Sequence, residues 1–228
     1  MPTTTTLACS PSVRPIAGMA WAWGLMVVAA TLLGQVSLGA PIVLYDSITG
    51  ATSAGSDGAN NATWLANQFT TDSATYSLQS VILDFATAPA GTIAVGLYSD
   101  ASGTPGSSLG TFTNPGSFTL GTNTFNASGI PSLVASSAYW VVLRGVSVGT
   151  VDWRWTSDAP TGVGASTNTN FSTTAGASWA GFSSGTPYMM TVNATAEAVP
   201  EIDPASFGSA FSIVLGSLAL LDRRRRRG

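Results

Sequence analysis

Residues 80–97 read SVILDFATAPAGTIAVGL and contain two short stretches in which large apolar side chains recur at every second position. Residues 81–85 form the first stretch and residues 93–97 the second, and a period of two is typical of β-strands. Residues 86–91 between them, ATAPAG, hold the proline and glycine of a turn and have the length of a hairpin connection. We therefore expect two neighbouring strands joined as a hairpin.

The same reasoning extends along the chain. Residues 139–146, YWVVLRGV, are apolar on both faces apart from Arg144, which predicts a central strand covered on both sides. Residues 151–155, VDWRW, alternate, so both tryptophans share one face while the acid and the arginine share the other. Shorter strands are predicted at residues 42–45, 65–70, 109–112, 123–125 and 188–192.

Two segments rich in small and polar residues, 47–63 and 157–187, are expected to be surface loops, the second with room for one more strand near Phe171 or Trp179. Many short strands separated by turns predict an all-β fold. The expected architecture is a single β-sandwich or jelly-roll-like domain over residues 40–197, flanked by an N-terminal signal helix and a C-terminal transmembrane helix.

Composition excludes several classes of function. The 228 residues include no histidine and one cysteine, Cys9, so the chain cannot build a zinc site, a Ser-His-Asp triad or an internal disulfide. Between residues 40 and 200, two arginines stand against eight acids, and such an acidic body cannot neutralise a row of phosphates. We therefore expect no nucleic-acid partner.

Residues 1–39 have the layout of a secretory signal peptide. A polar stretch with one arginine leads into the apolar residues 16–33, and the small residues Ser37 and Gly39 follow. Cleavage by signal peptidase after Gly39 would leave a mature chain that begins at Ala40. The alternative is an uncleaved membrane helix, since the apolar stretch could nearly span a bilayer.

Residues 198–228 form a second signal in three parts. An apolar stretch at residues 207–221 would rise about 25 Å as a helix, a slightly short fit to the bilayer core. A basic stop-transfer end follows it, and by the positive-inside rule this end stays cytoplasmic, so the body lies outside. The basic end could alternatively be a nucleic-acid or heparin patch. The short motif that precedes the helix consists of Val199, Pro200, Glu201, Ile202, Asp203 and Pro204, and the basic end of Arg223, Arg224, Arg225, Arg226 and Arg227.

This tail resembles the PEP-CTERM sorting signal of Gram-negative bacteria, in which a Pro-Glu-Pro-like motif, a short helix and an arginine-rich end are recognised by an exosortase. The usual Val-Pro-Glu-Pro reads Val-Pro-Glu-Ile-Asp-Pro at residues 199–204 here. The resemblance implies a producer of exopolysaccharide whose exosortase, a membrane enzyme, handles Pro200-Glu201. The protein would be the substrate of that enzyme.

The body resembles the choice-of-anchor R domain, a family of exported bacterial domains. The resemblance implies an extracellular domain of unassigned biochemical role, with no catalytic residues to transfer. It is carried by LANQFTT at residues 65–71, YSLQSV at 76–81, GLYSD at 96–100 with the following Pro105-Gly106, and Leu133 with YWVVL at 139–143.

Carboxylates are the only catalytic groups that this composition allows in pairs, and Asp84 and Asp152 lie in predicted strands. The alternative, which we favour, has both facing solvent, with Asp152 paired to Arg154 on the same strand. Asp57 and Asp100 lie in glycine-rich turns, where an aspartate normally bonds its own backbone rather than calcium. We assign no catalytic residue, metal ligand or cofactor.

Aromatic side chains on a flat β face could stack on the apolar faces of sugars. The candidates are Tyr98, Trp153, Trp155 and Trp179, although tryptophans on a strand often belong to the core. The sequence thus predicts an exported non-enzymatic protein of the cell surface, outer envelope or extracellular matrix, with a structural or adhesive role. One alternative is a carbohydrate-binding module that retains matrix polysaccharide, and another is a hydrolase that uses Asp84 and Asp152.

Overall fold

The structure, a computed structural model, describes residues 39–89, 91–147, 149–182, 185–197, 223, 225 and 226. The described residues between 39 and 197 form twelve strands and no helix. The strands are β1 (Pro41–Asp46), β2 (Ser53–Ala59), β3 (Trp64–Thr70), β4 (Tyr76–Phe85), β5 (Ile93–Asp100), β6 (Pro105–Thr111), β7 (Gly121–Asn126), β8 (Ala138–Gly145), β9 (Val151–Thr156), β10 (Thr169–Ser172), β11 (Ala180–Gly181) and β12 (Met190–Ala196).

The strands form two antiparallel sheets of six strands each. Sheet 1 has the order β1-β12-β4-β9-β2, and β7 also pairs with β4. Sheet 2 has the order β11-β10-β3-β8-β5-β6. The predicted all-β fold is therefore confirmed.

The two sheets share one hydrophobic core because every second side chain of each central strand points between them. Leu83 of β4 and Trp153 of β9 come from sheet 1, and Phe69 of β3 and Val141 of β8 come from sheet 2; all four are fully buried. Burying an apolar side chain of this size contributes about 1.5–3 kcal/mol. Burial of these apolar side chains in the shared core is thus the main way in which the alternating sequence pattern stabilises the fold.

The predicted hairpin between residues 81–85 and 93–97 is wrong. Both segments are strands, but β4 lies in sheet 1 and β5 lies in sheet 2. The chain between them passes from one sheet to the other. Leu83 of β4 and Val95 of β5 therefore point into the shared core from opposite sheets. Alternation shows which face of a strand is apolar, and it does not show which sheet contains the strand.

The predicted central strand at residues 139–146 is confirmed as β8, which pairs with β3 on one side and β5 on the other. The predicted loop at 47–63 contains β2, whose sequence SAGSDGA has too little apolar surface to be recognised and which pairs with β9 at the edge of sheet 1. The segment 157–187 contains β10, which includes Phe171, and the two-residue β11.

The two predicted sorting signals lie largely outside the described residues. Residues 1–38 and 198–222 are not described, and of the terminal arginines the structure describes Arg223, Arg225 and Arg226. Within the part of the chain that the structure describes, no helix has the length and hydrophobicity of a membrane span.

Candidate binding surface on the outer face of sheet 2

Trp153 and Trp155, two of the four predicted sugar-stacking residues, lie in sheet 1 and turn towards the core. Trp153 is fully buried, and its ring stacks on Tyr188 with centroids 4.6 Å apart and an interplanar angle of 16°. Its Nε1 donates a hydrogen bond of 2.9 Å to the Met189 carbonyl. Trp155 is half-buried and packs against the same core. Trp153 therefore offers no ring face to a sugar.

Trp179 and Tyr98, the other two, both lie on the outer face of sheet 2, Trp179 beside Trp64 and Tyr98 on β5 opposite Trp140. They pack with Trp64 against a small second cluster of buried residues, Ala66, Trp140 and Val142, that point away from the main core. The three covering residues remain partly exposed. This outer aromatic cluster explains how β8 is covered on both faces, and it contains two of the four predicted candidates, at separate positions on the same face.

Trp64 is the centre of the cluster. The Arg144 guanidinium carbon lies 5.0 Å from the centroid of its ring, a cation–π contact. Trp179 meets the same ring edge-on, with centroids 6.4 Å apart and an interplanar angle of 62°. The strand register explains the first contact, because Leu65 is opposite Leu143 and Trp64 is therefore opposite Arg144.

A hydroxyl-rich loop at residues 173–178 holds the two tryptophans in place. The Ala175 N–H donates to the Ala62 carbonyl at 2.9 Å, and the Gly176 N–H donates to Ser172 Oγ at 2.9 Å. Gly176 has φ of +82°, and a Cβ there would come within 2.5 Å of the Trp64 ring. The loop passes so close to Trp64 that only glycine fits at this position.

Asp100 lies at the other end of the same face, where it organises the chain around it. Its Oδ1 accepts hydrogen bonds from Trp140 Nε1 at 2.8 Å and Gln68 Nε2 at 3.0 Å, and its Oδ2 accepts one from the Gly103 N–H at 3.1 Å. The last of these is the turn bond expected from the sequence. Among the described residues, no three His, Cys, Asp or Glu side chains come together as a metal site.

The pairing expected between Asp152 and Arg154 is wrong. Arg154 Nη1 lies 3.3 Å from Asp84 Oδ1 on the neighbouring β4, and Asp152 accepts a hydrogen bond from Thr87 Oγ1 at 3.1 Å. Asp84 is also buried, with 8% of its surface exposed, rather than facing solvent as expected. The antiparallel register puts Phe85 opposite Trp153, so Asp84 falls beside Arg154 across the strands.

Two tyrosines of the core have strongly shifted acidities. Burial raises the pKa of Tyr45 to about 12. Burial raises the pKa of Tyr188 far above its usual range. The nearby Asp57 carboxylate, which accepts a hydrogen bond of 2.9 Å from the Tyr188 hydroxyl, raises it further. Asp57 therefore lies in β2 rather than in the turn expected from the sequence, and its carboxylate accepts a hydrogen bond from a buried tyrosine.

Sequence reasoning did not include Trp64 or Arg144 among the binding candidates. The sequence shows Arg144 as the one charged residue of an otherwise apolar strand. Only the pairing register of β3 and β8 shows that Trp64 lies beside it. Trp64 follows the segment 47–63 and lies at the first position of its strand. Neither a protein-family model nor a curated protein matches the chain.

Proposed function

We propose that the chain is an exported, non-enzymatic protein with a structural or adhesive role at the cell surface, in the outer envelope or in the extracellular matrix. Residues 40–197 would be the displayed domain, a jelly-roll-like β-sandwich, with a signal helix before it and a transmembrane helix after it. The PEP-CTERM-like layout of residues 198–228 supports sorting by an exosortase-type enzyme, after signal peptidase has acted at Gly39.

One observation of the fold supports this proposal most directly: both ends of the body emerge at the same pole. Gly39 lies against the backbone of Ala196, and Pro41 pairs with Thr195. The Glu197 N–H then donates to the Thr75 carbonyl at 2.9 Å, beside the start of β4. Signal peptidase and a tail-processing enzyme can thus both act at one end of the domain. The rest of the domain surface then remains accessible to partners.

The end of the outer aromatic cluster that holds Trp64 and Arg144 lies furthest from this pole. The start of β8 is near the terminal pole, because Tyr76, opposite Ala196, pairs with Leu133 just before that strand. From Ala138 the strand runs six residues to Arg144, a rise of about 20 Å. A domain tethered through its C-terminal tail would present Arg144 and Trp64 away from the tether.

The intact mass of the protein, purified from the envelope and from the medium, tests the proposal at both ends. We expect a chain that begins at Ala40 and ends near Glu201. A matched variant that lacks residues 200–228 should lose its normal location. A mass that retains the leader and the tail, or unchanged sorting of the truncated variant, would contradict the proposal.

The carbohydrate-binding module is a second candidate, and the outer aromatic cluster is the observation that favours it. Trp179 and Tyr98 lie partly exposed at separate positions on the outer face of sheet 2, and each offers part of a ring to a sugar. This function is compatible with export, since a displayed domain that holds polysaccharide would have an adhesive role.

A further inference from the structure

We propose that the end of the sheet 2 outer face furthest from the chain termini binds an acidic polysaccharide, with Arg144 holding a sugar carboxylate and Trp64 and Trp179 contacting the sugar rings. The biological setting of this site rests on the proposed function, because a secreted domain meets polysaccharide outside the cell. The binding itself is a property of the domain surface.

The charge of Arg144 is the first argument. Arg154, the other arginine of the β-strands, has Asp84 as its partner, whereas Arg144 forms no ion pair with a carboxylate of the described residues. Arg144 is half-buried on β8, between β3 and β5, and its guanidinium carbon lies 5.0 Å from the centre of the Trp64 ring. A guanidinium has a fork of N–H donors that matches a carboxylate, so a partly desolvated and unpaired one favours an anionic ligand.

The distribution of the acids is the second argument. Asp100 is the only acidic residue in a strand of sheet 2, and its two oxygens already accept three hydrogen bonds from the protein. The remaining acids of the body lie in sheet 1 or in the connecting and terminal segments: Asp46, Asp57, Asp72, Asp84, Asp152, Asp158 and Glu197. Apart from Asp100, no strand of sheet 2 therefore places a carboxylate beside an anion bound at Arg144.

The rings are the third argument. Trp64 and Trp179 are each partly buried and lie at 62° to one another, so Trp179 and the part of Trp64 that Arg144 leaves uncovered form an apolar surface next to a cation. A uronic acid residue has this combination of features, an apolar C–H face and a carboxylate. The hydroxyl network of residues 173–178 fixes the rings in advance, which reduces the entropy lost on binding.

The test is affinity electrophoresis of the full chain, produced with its own leader and tail and recovered from the envelope or medium. The native gels contain polygalacturonate, alginate or hyaluronan, and a matched gel contains methyl-esterified polygalacturonate, which lacks the charge. We expect retardation in at least one acidic gel, little retardation in the esterified one, and weaker binding as salt is raised.

Arg144→Gln should weaken this binding by about tenfold or more, the usual effect of a lost hydrogen bond to a charged group. Arg154→Gln is the control on the other sheet; because it removes the partner of the buried Asp84, its folded state is first checked by thermal unfolding, and the folded variant should bind like the parent. Trp179→Ala should also weaken binding, and Trp179→Phe should restore part of it.

Three results would each overturn the inference: no retardation by any of the three acidic polysaccharides, equal retardation by the methyl ester, or the same loss in Arg154→Gln as in Arg144→Gln. Retardation by a neutral glucan that is unaffected by Arg144→Gln would replace the inference with a neutral-sugar site. The intact mass of the same samples reports export and tail processing independently, so failure of this site leaves the proposed function to its own test.

Discussion

Replacing Trp153 by alanine should destabilise the protein severely. From the sequence alone, Trp153 and Trp179 are equally good candidates for an exposed ring that stacks on a sugar. Truncating a fully buried tryptophan costs about 3–5 kcal/mol through lost burial and the cavity that remains. It also removes the Nε1 hydrogen bond to the Met189 carbonyl, which adds about 1 kcal/mol, since that carbonyl keeps the Asp84 N–H as a donor at 3.1 Å. The expected loss in the free energy of unfolding is about 4–6 kcal/mol.

Thermal and urea unfolding of the processed protein measures this loss. At about 2–4 °C per kcal/mol for a chain of this size, Tm should fall by about 10–20 °C. Trp153→Phe separates the contributions, because it keeps a ring to stack on Tyr188 and loses only the N–H donor and some volume. It should cost about 1–3 kcal/mol.

Trp179→Ala is the matched control, since its ring is half-exposed on the outer face. We expect it to cost less than about 2 kcal/mol, because only part of the ring is buried. If Trp153→Ala cost no more than Trp179→Ala, the placement of Trp153 in the shared core and the reasoning built on it would be refuted.

Two further predictions concern acidity and the loop beside Trp64. Because Tyr45 and Tyr188 have pKa values raised above that of the unfolded chain, their contribution to stability is complete below pH 10 and is lost as pH rises towards about 12 and beyond. Urea unfolding across this range should show the fall, and Tyr188→Phe should make it shallower; an unchanged slope would contradict the assignment. Gly176→Ala should cost about 1–3 kcal/mol of strain at positive φ and also shift the Trp64 ring, seen as altered tryptophan fluorescence. Gly103→Ala, with φ of +86° and nothing near its Cβ position, should show the strain alone; equal fluorescence changes in both would refute the contact with Trp64.

Periodicity correctly located most of the strands. The alternation at residues 81–85, 93–97 and 151–155 corresponds to β4, β5 and β9, and the doubly apolar run at 139–146 corresponds to β8. A β-strand places successive side chains on opposite faces whatever its neighbours are, so the apolar face can be found from local sequence. β2 was not predicted, because few of its side chains are apolar. It is a strand because it pairs with β9, which supplies its hydrogen bonds.

The sequence by itself also determined the chemical limits of the protein, because residue types that are absent cannot be supplied by folding: without histidine and with a single cysteine, triads and zinc sites are excluded. Tertiary structure alone decided which layer each strand joins, that Arg154 meets Asp84 rather than Asp152, and that Arg144 lies on Trp64. These contacts depend on the register between strands distant in sequence. Register is set by how all the apolar faces fit together in one core, and no local pattern contains that information.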